Sequence, residues 1–190
     1  MNRIVAIILT LLLSTPVVAS DLPQGSLYSA PFIWKNQRGE EVTLASLKGH
    51  PVVLTFAYTR CTTACPMTMQ RIKKVASALK NDAPLTQFVI VSLDPAHDTP
   101  QTLAKFMEQY KLRGPSWHLL TGSDAEVRKL SVLLNYSYQQ QSDDDTIAHS
   151  NKMVALTKEG RVDGEVEGLD TELDQFIEKV KAIAERPSEM

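Results

Sequence analysis

Pro51-Val52-Val53-Leu54-Thr55-Phe56-Ala57-Tyr58-Thr59-Arg60-Cys61-Thr62-Thr63-Ala64-Cys65-Pro66 is the stretch on which the reading of this chain turns. Residues 51–58 form an apolar run that reads as a buried strand, and the only two cysteines of the 190 residues follow it directly. Three residues separate them. A helix starting near Cys61 would carry Cys65 one turn later on the same face, with both sulfurs aimed at one spot. Such a pair can close as a disulfide or hold a soft metal ion.

Working outward, strand and helix alternate. Residues 61–80 carry Met69, Ile72, Val75, Ala76 and Leu79 at the spacing of a core-facing helical stripe, and residues 87–93 read as a second buried strand. Thr99 as N-cap with Pro100 at the first helical position opens a helix to about Tyr110. Residues 117–120 read as a short strand. Ser123-Asp124-Ala125-Glu126 has the form of a capping box and opens a helix to about Leu134. Residues 152–156 and 161–167 flank Lys158-Glu159-Gly160 as a hairpin, and Leu173, Phe176, Ile177, Val180 and Ile183 line a final amphipathic helix. Before the first buried strand, residues 30–34 and 41–44 flank the turn sequence Asn36-Gln37-Arg38-Gly39 as another hairpin. This order predicts one α/β domain of the thioredoxin-like class, a central mixed sheet flanked by helices. A right-handed crossover makes the two buried strands parallel and leaves Cys61 at a carboxyl strand end, where α/β proteins bind their ligands.

The first twenty residues read as a cleaved secretory leader: a basic start at Arg3, an apolar run over 4–18, and small residues at Val17-Val18-Ala19. Ser14, Thr15 and Pro16 interrupt the run, which is short for a spanning helix. The expected division is a leader over 1–20 and a single domain over 21–190. No cysteine stands near the cleavage point to carry a lipid, so the mature chain is expected to be soluble in an oxidising space, most simply a bacterial periplasm, and to be monomeric. Removing Arg3 takes the formal charge from −2 to −3, and a pI near 6.1 speaks against a nucleic-acid partner.

The chemistry follows from the thiols. A cysteine at a helix N-terminus faces unpaired N–H groups, which should lower its pKa below the free value of about 8.5 and make the pair reactive. A structural disulfide is the bland alternative, but a loop of three residues constrains the unfolded chain little. Thiolates select soft ions, copper(I) first and zinc second, and two sulfurs call for a third ligand. Of the four histidines, His50, His97, His118 and His149, the last lies in the polar segment 139–150, read as a loop able to reach the cysteine turn. Taken alone, a loop histidine is more often solvent-exposed than ligating. Met67 and Met69 offer thioethers, although methionines in a first helical turn are more often packing. Asp143-Asp144-Asp145 reads as a solvated acidic run.

Phe56-Ala57-Tyr58-Thr59-Arg60-Cys61-Thr62-Thr63-Ala64-Cys65-Pro66, Ser92-Leu93-Asp94-Pro95-Ala96-His97-Asp98-Thr99-Pro100, Trp117-His118-Leu119-Leu120-Thr121-Gly122 and Ala148-His149-Ser150 come in that order, and together they resemble the successive signatures of the Sco/SenC family. The resemblance covers about residues 29–181. It implies a thioredoxin-like fold that binds copper through Cys61, Cys65 and His149, and a role in assembling the dinuclear copper centre of cytochrome c oxidase. It also implies a copper-acceptor partner and a periplasmic thiol reductant that keeps the cysteines open. Asp94 and Asp98 would then lie near the site and orient His149 or a docking partner, unless Asp98 merely starts a helix. The chain departs from the family pattern at Thr62, where proline is common, at Ala148, where an acidic residue is common, and in looking released from the membrane. The rival class is a thiol-disulfide oxidoreductase using the same cysteines as its redox dithiol. A peroxidase lacks support, because Tyr58 stands where the Thr-x-x-Cys pattern of peroxiredoxins needs threonine.

Overall fold

A computed structural model describes residues 22–62, 64–140 and 146–188; the expected leader and the Asp143-Asp144-Asp145 run lie outside them. Its centre is a sheet in the order β2-β1-β5-β4-β3-β8-β9. The strands are β1 (Trp34–Asn36), β2 (Glu41–Val42), β3 (Val52–Ala57), β4 (Gln87–Ser92), β5 (Trp117–Thr121), β8 (Lys152–Leu156) and β9 (Val162–Glu167). The fold is α/β with a mixed sheet and four helices, as the alternation predicted. β3 and β8 are buried at every position, and for β3 this is why it read as a near-continuous apolar run and not as an alternating one.

β3 pairs parallel with β4 from Val52↔Gln87 to Ala57↔Ser92, and β4 pairs parallel with β5 from Phe88↔Trp117 to Val91↔Leu120. The crossovers between them are α1 (Cys65–Leu79) and α2 (Pro100–Tyr110), which touch where the Lys73 ammonium donates to the Tyr110 carbonyl at 3.0 Å. α1 buries Met69, Ile72, Val75 and Leu79, the stripe read from the sequence. Met69 is therefore core, whereas Met67 is exposed. α2 starts as expected, Thr99 Oγ1 accepting from the Thr102 N–H and Pro100 filling a position whose N–H would have no helical partner. α3 (Asp124–Leu133) carries the full capping box between Ser123 and Glu126. α4 (Asp174–Glu185) buries Phe176, Ile177, Val180 and Ile183 against β8, β9 and α1.

Two expectations need correction. The N-terminal hairpin exists, but its first strand lies later than read, at Trp34–Asn36, and its second, Glu41–Val42, ends earlier because Leu44–Leu47 turns into a 3-10 helix that buries Leu44 and Leu47. The segment read as a polar loop is a second, separate sheet of β6 (Tyr138–Gln140) and β7 (Ile147–His149), paired from Tyr138↔His149 to Gln140↔Ile147.

The antiparallel register of β3 and β8 is what positions the site. Thr55 faces Met153 and Val52 faces Leu156, so β8 begins beside the carboxyl end of β3. Whatever immediately precedes Lys152 hangs over the turn that carries the cysteines.

Candidate metal centre

The turn after β3 does not enter a helix at Cys61, as the spacing predicted; α1 begins only at Cys65. Ahead of the cysteines the chain turns at Thr59 and Arg60, with Cys61 N–H donating to the Tyr58 carbonyl at 3.2 Å. The N-cap position is Ala64, which has no side chain able to cap, and Pro66 follows Cys65. The first helical N–H, that of Cys65, donates instead to Cys61 Sγ at 3.3 Å. Cys61 thus takes the place of a capping side chain, and the positive end of the helix faces its sulfur and not that of Cys65.

Neither cysteine is in a disulfide, and both are buried, Cys61 at 7% exposure and Cys65 at 0%. The expected lowering of the thiol pKa fails at Cys65. Its hydrogen bond with the Cys61 side chain, followed by burial, pushes the Cys65 thiol well above its ordinary value. A proton held in this way must leave before a soft cation can take two sulfurs.

His149, the last residue of β7, brings a ring nitrogen to the cysteines: one ligand atom from each of Cys61, Cys65 and His149 lies within 4.8 Å of the others. It is the only such group of three found among the described residues. The ring is set by its other nitrogen. Nδ1 stands 2.8 Å from the Ser150 carbonyl and 2.9 Å from the Tyr136 hydroxyl. A carbonyl can only accept, so Nδ1 carries the proton and Nε2 is left with its lone pair. Nε2 is buried and has no hydrogen-bond partner. A buried ring nitrogen with an open lone pair beside two thiols fits a soft or borderline metal ion. Tyr136 stacks on the ring at 18° between planes and Tyr58 meets it edge-on at 81°, each with centroids 6.1 Å away.

The other histidines are elsewhere. His50 precedes β3 at its far end, His118 bonds Gln87 at 2.9 Å, and His97 bonds Asp94 Oδ1 at 2.8 Å. Of the two roles expected for Asp94 and Asp98, orienting His149 or a docking partner, the first fails: they bond Arg60, His97, Thr59 and Ser92 instead. Asp94 binds Arg60 at 2.9 Å as well as His97. Asp98 is fully buried and accepts from the Thr59 N–H at 3.1 Å, from the Thr59 hydroxyl and from the Ser92 hydroxyl. Burial raises its pKa, against the lowering effect of those bonds. Both aspartates therefore brace the segment leading into Cys61.

Tyr136, and the parts played by Tyr58 and Thr59, are what sequence reasoning missed at the site. One signal was available: Asn135-Tyr136-Ser137-Tyr138 alternates polar and aromatic residues, the period of a strand, just before the segment read as loop.

The SCO1/SenC family model matches residues 20–185 of this chain. The SCO1 protein homolog of Bacillus subtilis is 29% identical over 155 residues, 80% of each chain. Among solved structures, Bradyrhizobium japonicum ScoI with copper bound is 27% identical, superposes with a TM-score of 0.68, and the match covers 81% of this chain and 98% of that one. BsSco, described as a member of the Sco family of cytochrome c oxidase assembly proteins with a disulfide switch, is 27% identical with a TM-score of 0.72, covering 84% and 94%. A match running from residue 20 to residue 185 takes in the cysteine turn, both parallel crossovers and the histidine hairpin together, and this chain belongs to the SCO1/SenC family.

Proposed function

We propose that this protein binds one copper ion through Cys61 Sγ, Cys65 Sγ and His149 Nε2 and hands it to a copper-requiring acceptor protein. The observation that carries the reading is the buried, unpartnered Nε2 of His149 beside two cysteines that are not in a disulfide, with the three ligand atoms within 4.8 Å of one another. Copper bound to the related ScoI and the assembly role attributed to BsSco support copper as the cargo and an oxidase copper centre as its destination. Two thiolates and one imidazole suit copper(I) in a three-coordinate site and leave room for an incoming ligand from the acceptor, so the ion transfers by ligand exchange. Oxidation of the dithiol removes two of the three ligands, which ties loading to the supply of a thiol reductant. The secretory leader read over residues 1–20 supports a periplasmic location for the mature domain, 21–190. Among the described residues no helix is long and apolar enough to cross a membrane.

A dithiol oxidoreductase is the second reading, favoured by the asymmetry between Cys61 at 7% exposure and the sealed Cys65 at 0%. In that reading His149 tunes the thiols and is not a ligand, so its removal separates the two. Titration of the reduced protein with copper(I) against a chromophoric chelator, beside His149→Ala, tests the proposal. One-to-one binding that weakens sharply in the variant, with disulfide exchange retained, is expected. Weak binding that is equal in both proteins would leave the oxidoreductase.

A further inference from the structure

We infer that Tyr58 is a positioning residue whose hydroxyl latches β7, and with it His149, over the cysteine turn. The inference rests on the copper reading and concerns what holds the third ligand in place. β6 and β7 form a sheet of their own, with no ladder to the seven-stranded sheet among the described residues. His149 therefore owes its position to side-chain contacts as well as to chain connection.

Tyr58 supplies two of these contacts and a third to the sulfur half of the site. It is the residue after β3, buried at 5% exposure, so its backbone is set by the main sheet. Its hydroxyl oxygen accepts from the Ile147 N–H at 3.1 Å, a backbone group of β7 two residues from His149. Its hydroxyl is also hydrogen-bonded to the Cys61 side chain, and its ring edge meets the His149 ring. One hydroxyl thus spans the sulfur half of the site and the strand that carries the nitrogen half. A hydroxyl can do both because it donates through its hydrogen to sulfur while its oxygen accepts. Phenylalanine would fill nearly the same space but offer no acceptor to Ile147, leaving a buried N–H without its partner.

The expected consequence in Tyr58→Phe is a hairpin that samples open positions with His149 withdrawn. Copper affinity falls by the fraction of time the site is incomplete. Loss of one buried hydrogen bond corresponds to about a tenfold effect.

The test is a copper(I) competition titration of the reduced protein on four variants: wild type, Tyr58→Phe, His149→Ala and the double variant. Amide exchange at Ile147 in the copper-free protein is measured alongside. The latch predicts about tenfold weaker binding in Tyr58→Phe, faster Ile147 exchange, and no further loss when Tyr58→Phe is added to His149→Ala. An equal loss in both backgrounds would mean that Tyr58 acts on Cys61 directly and would overturn the latch, as would unchanged affinity with unchanged Ile147 exchange. If His149→Ala itself binds copper like the wild type, the three-ligand reading fails separately, and the Ile147 exchange rate alone then decides whether Tyr58 holds the hairpin.

Discussion

Removing the carboxylate of Asp98 should loosen the segment that delivers Cys61, and the size of the effect follows from its contacts. The side chain is at 0% exposure and accepts from the Thr59 N–H, the Thr59 hydroxyl and the Ser92 hydroxyl. A hydrogen bond to an ionised acceptor contributes about 1.5–3 kcal/mol. In Asp98→Ala the two hydroxyls can rotate toward other acceptors, but the Thr59 N–H cannot. Against that loss stands the charge no longer held out of water, a real cost because burial is the first cause raising the Asp98 pKa. The balance is a destabilisation of about 2–4 kcal/mol. Asp98→Asn keeps the shape without the charge and should fall within about 1 kcal/mol of wild type at neutral pH.

Urea unfolding of the reduced protein, followed by far-UV circular dichroism across a pH series, reads both variants. Because the folded carboxyl is raised above its model value of 3.8, the folded state holds more protons than the unfolded state in the window above that value. The Asp98 contribution is therefore fully present below the unfolded pKa and is lost as pH rises through the folded pKa. Asp98→Asn lacks this decline, so its stability relative to wild type should improve as pH rises from about 4. Asp98→Ala unfolding within 0.5 kcal/mol of wild type, a difference on the order of surface substitutions, would refute the bracing role. So would a stability gap between Asp98→Asn and wild type that moves the other way with pH.

Copper(I) affinity should tighten with pH, by about tenfold per unit for each proton displaced, since Cys65 holds its proton tightly; an affinity flat with pH would contradict this. Tyr136→Phe should weaken copper binding by no more than about fivefold, because the Ser150 carbonyl still fixes the His149 tautomer, as the same chelator titration will read. Tyr136→Ala, by contrast, loses a ring packed 4.4 Å from Phe56 and should cost about 3–5 kcal/mol in urea unfolding. Gly160→Ala places a Cβ 2.6 Å from the Tyr28 ring at a backbone φ of +83°, and should cost at least about 2 kcal/mol by thermal or urea unfolding with the dithiol untouched.

What the sequence disclosed and what it hid divide along physical lines. The elements that stand on local signals were legible: Thr99 with Pro100, the Ser123 and Glu126 box, and the apolar runs of β3 and β4. The start of α1 was not, because Ala64 gives no capping signal and the acceptor that replaces it is the sulfur of Cys61, a tertiary arrangement. β7 was hidden because only three residues pair, with Ile147 buried between exposed Thr146 and Ala148, too short to show a period. The direction of the Cys65 shift was missed for the same reason as the helix start. Once α1 begins at Cys65, its N-terminal N–H serves Cys61, and what Cys65 meets is a neighbouring thiol and burial.

The two halves of the site differ in how firmly they are held, and on the copper reading that difference sets the direction of handover. The sulfur half grows out of β3, the strand between β4 and β8, and is tied down by Asp98 through Thr59 and by Asp94 through Arg60. The nitrogen half sits on a separate two-stranded sheet, held where Tyr58, Tyr136 and the Ser150 carbonyl touch it. An acceptor that approaches with its own soft ligand meets less resistance in displacing an imidazole on that hairpin than a thiolate fixed to the main sheet. Copper would then leave nitrogen first and sulfur last, keeping at least one protein thiolate on the ion until the acceptor holds it.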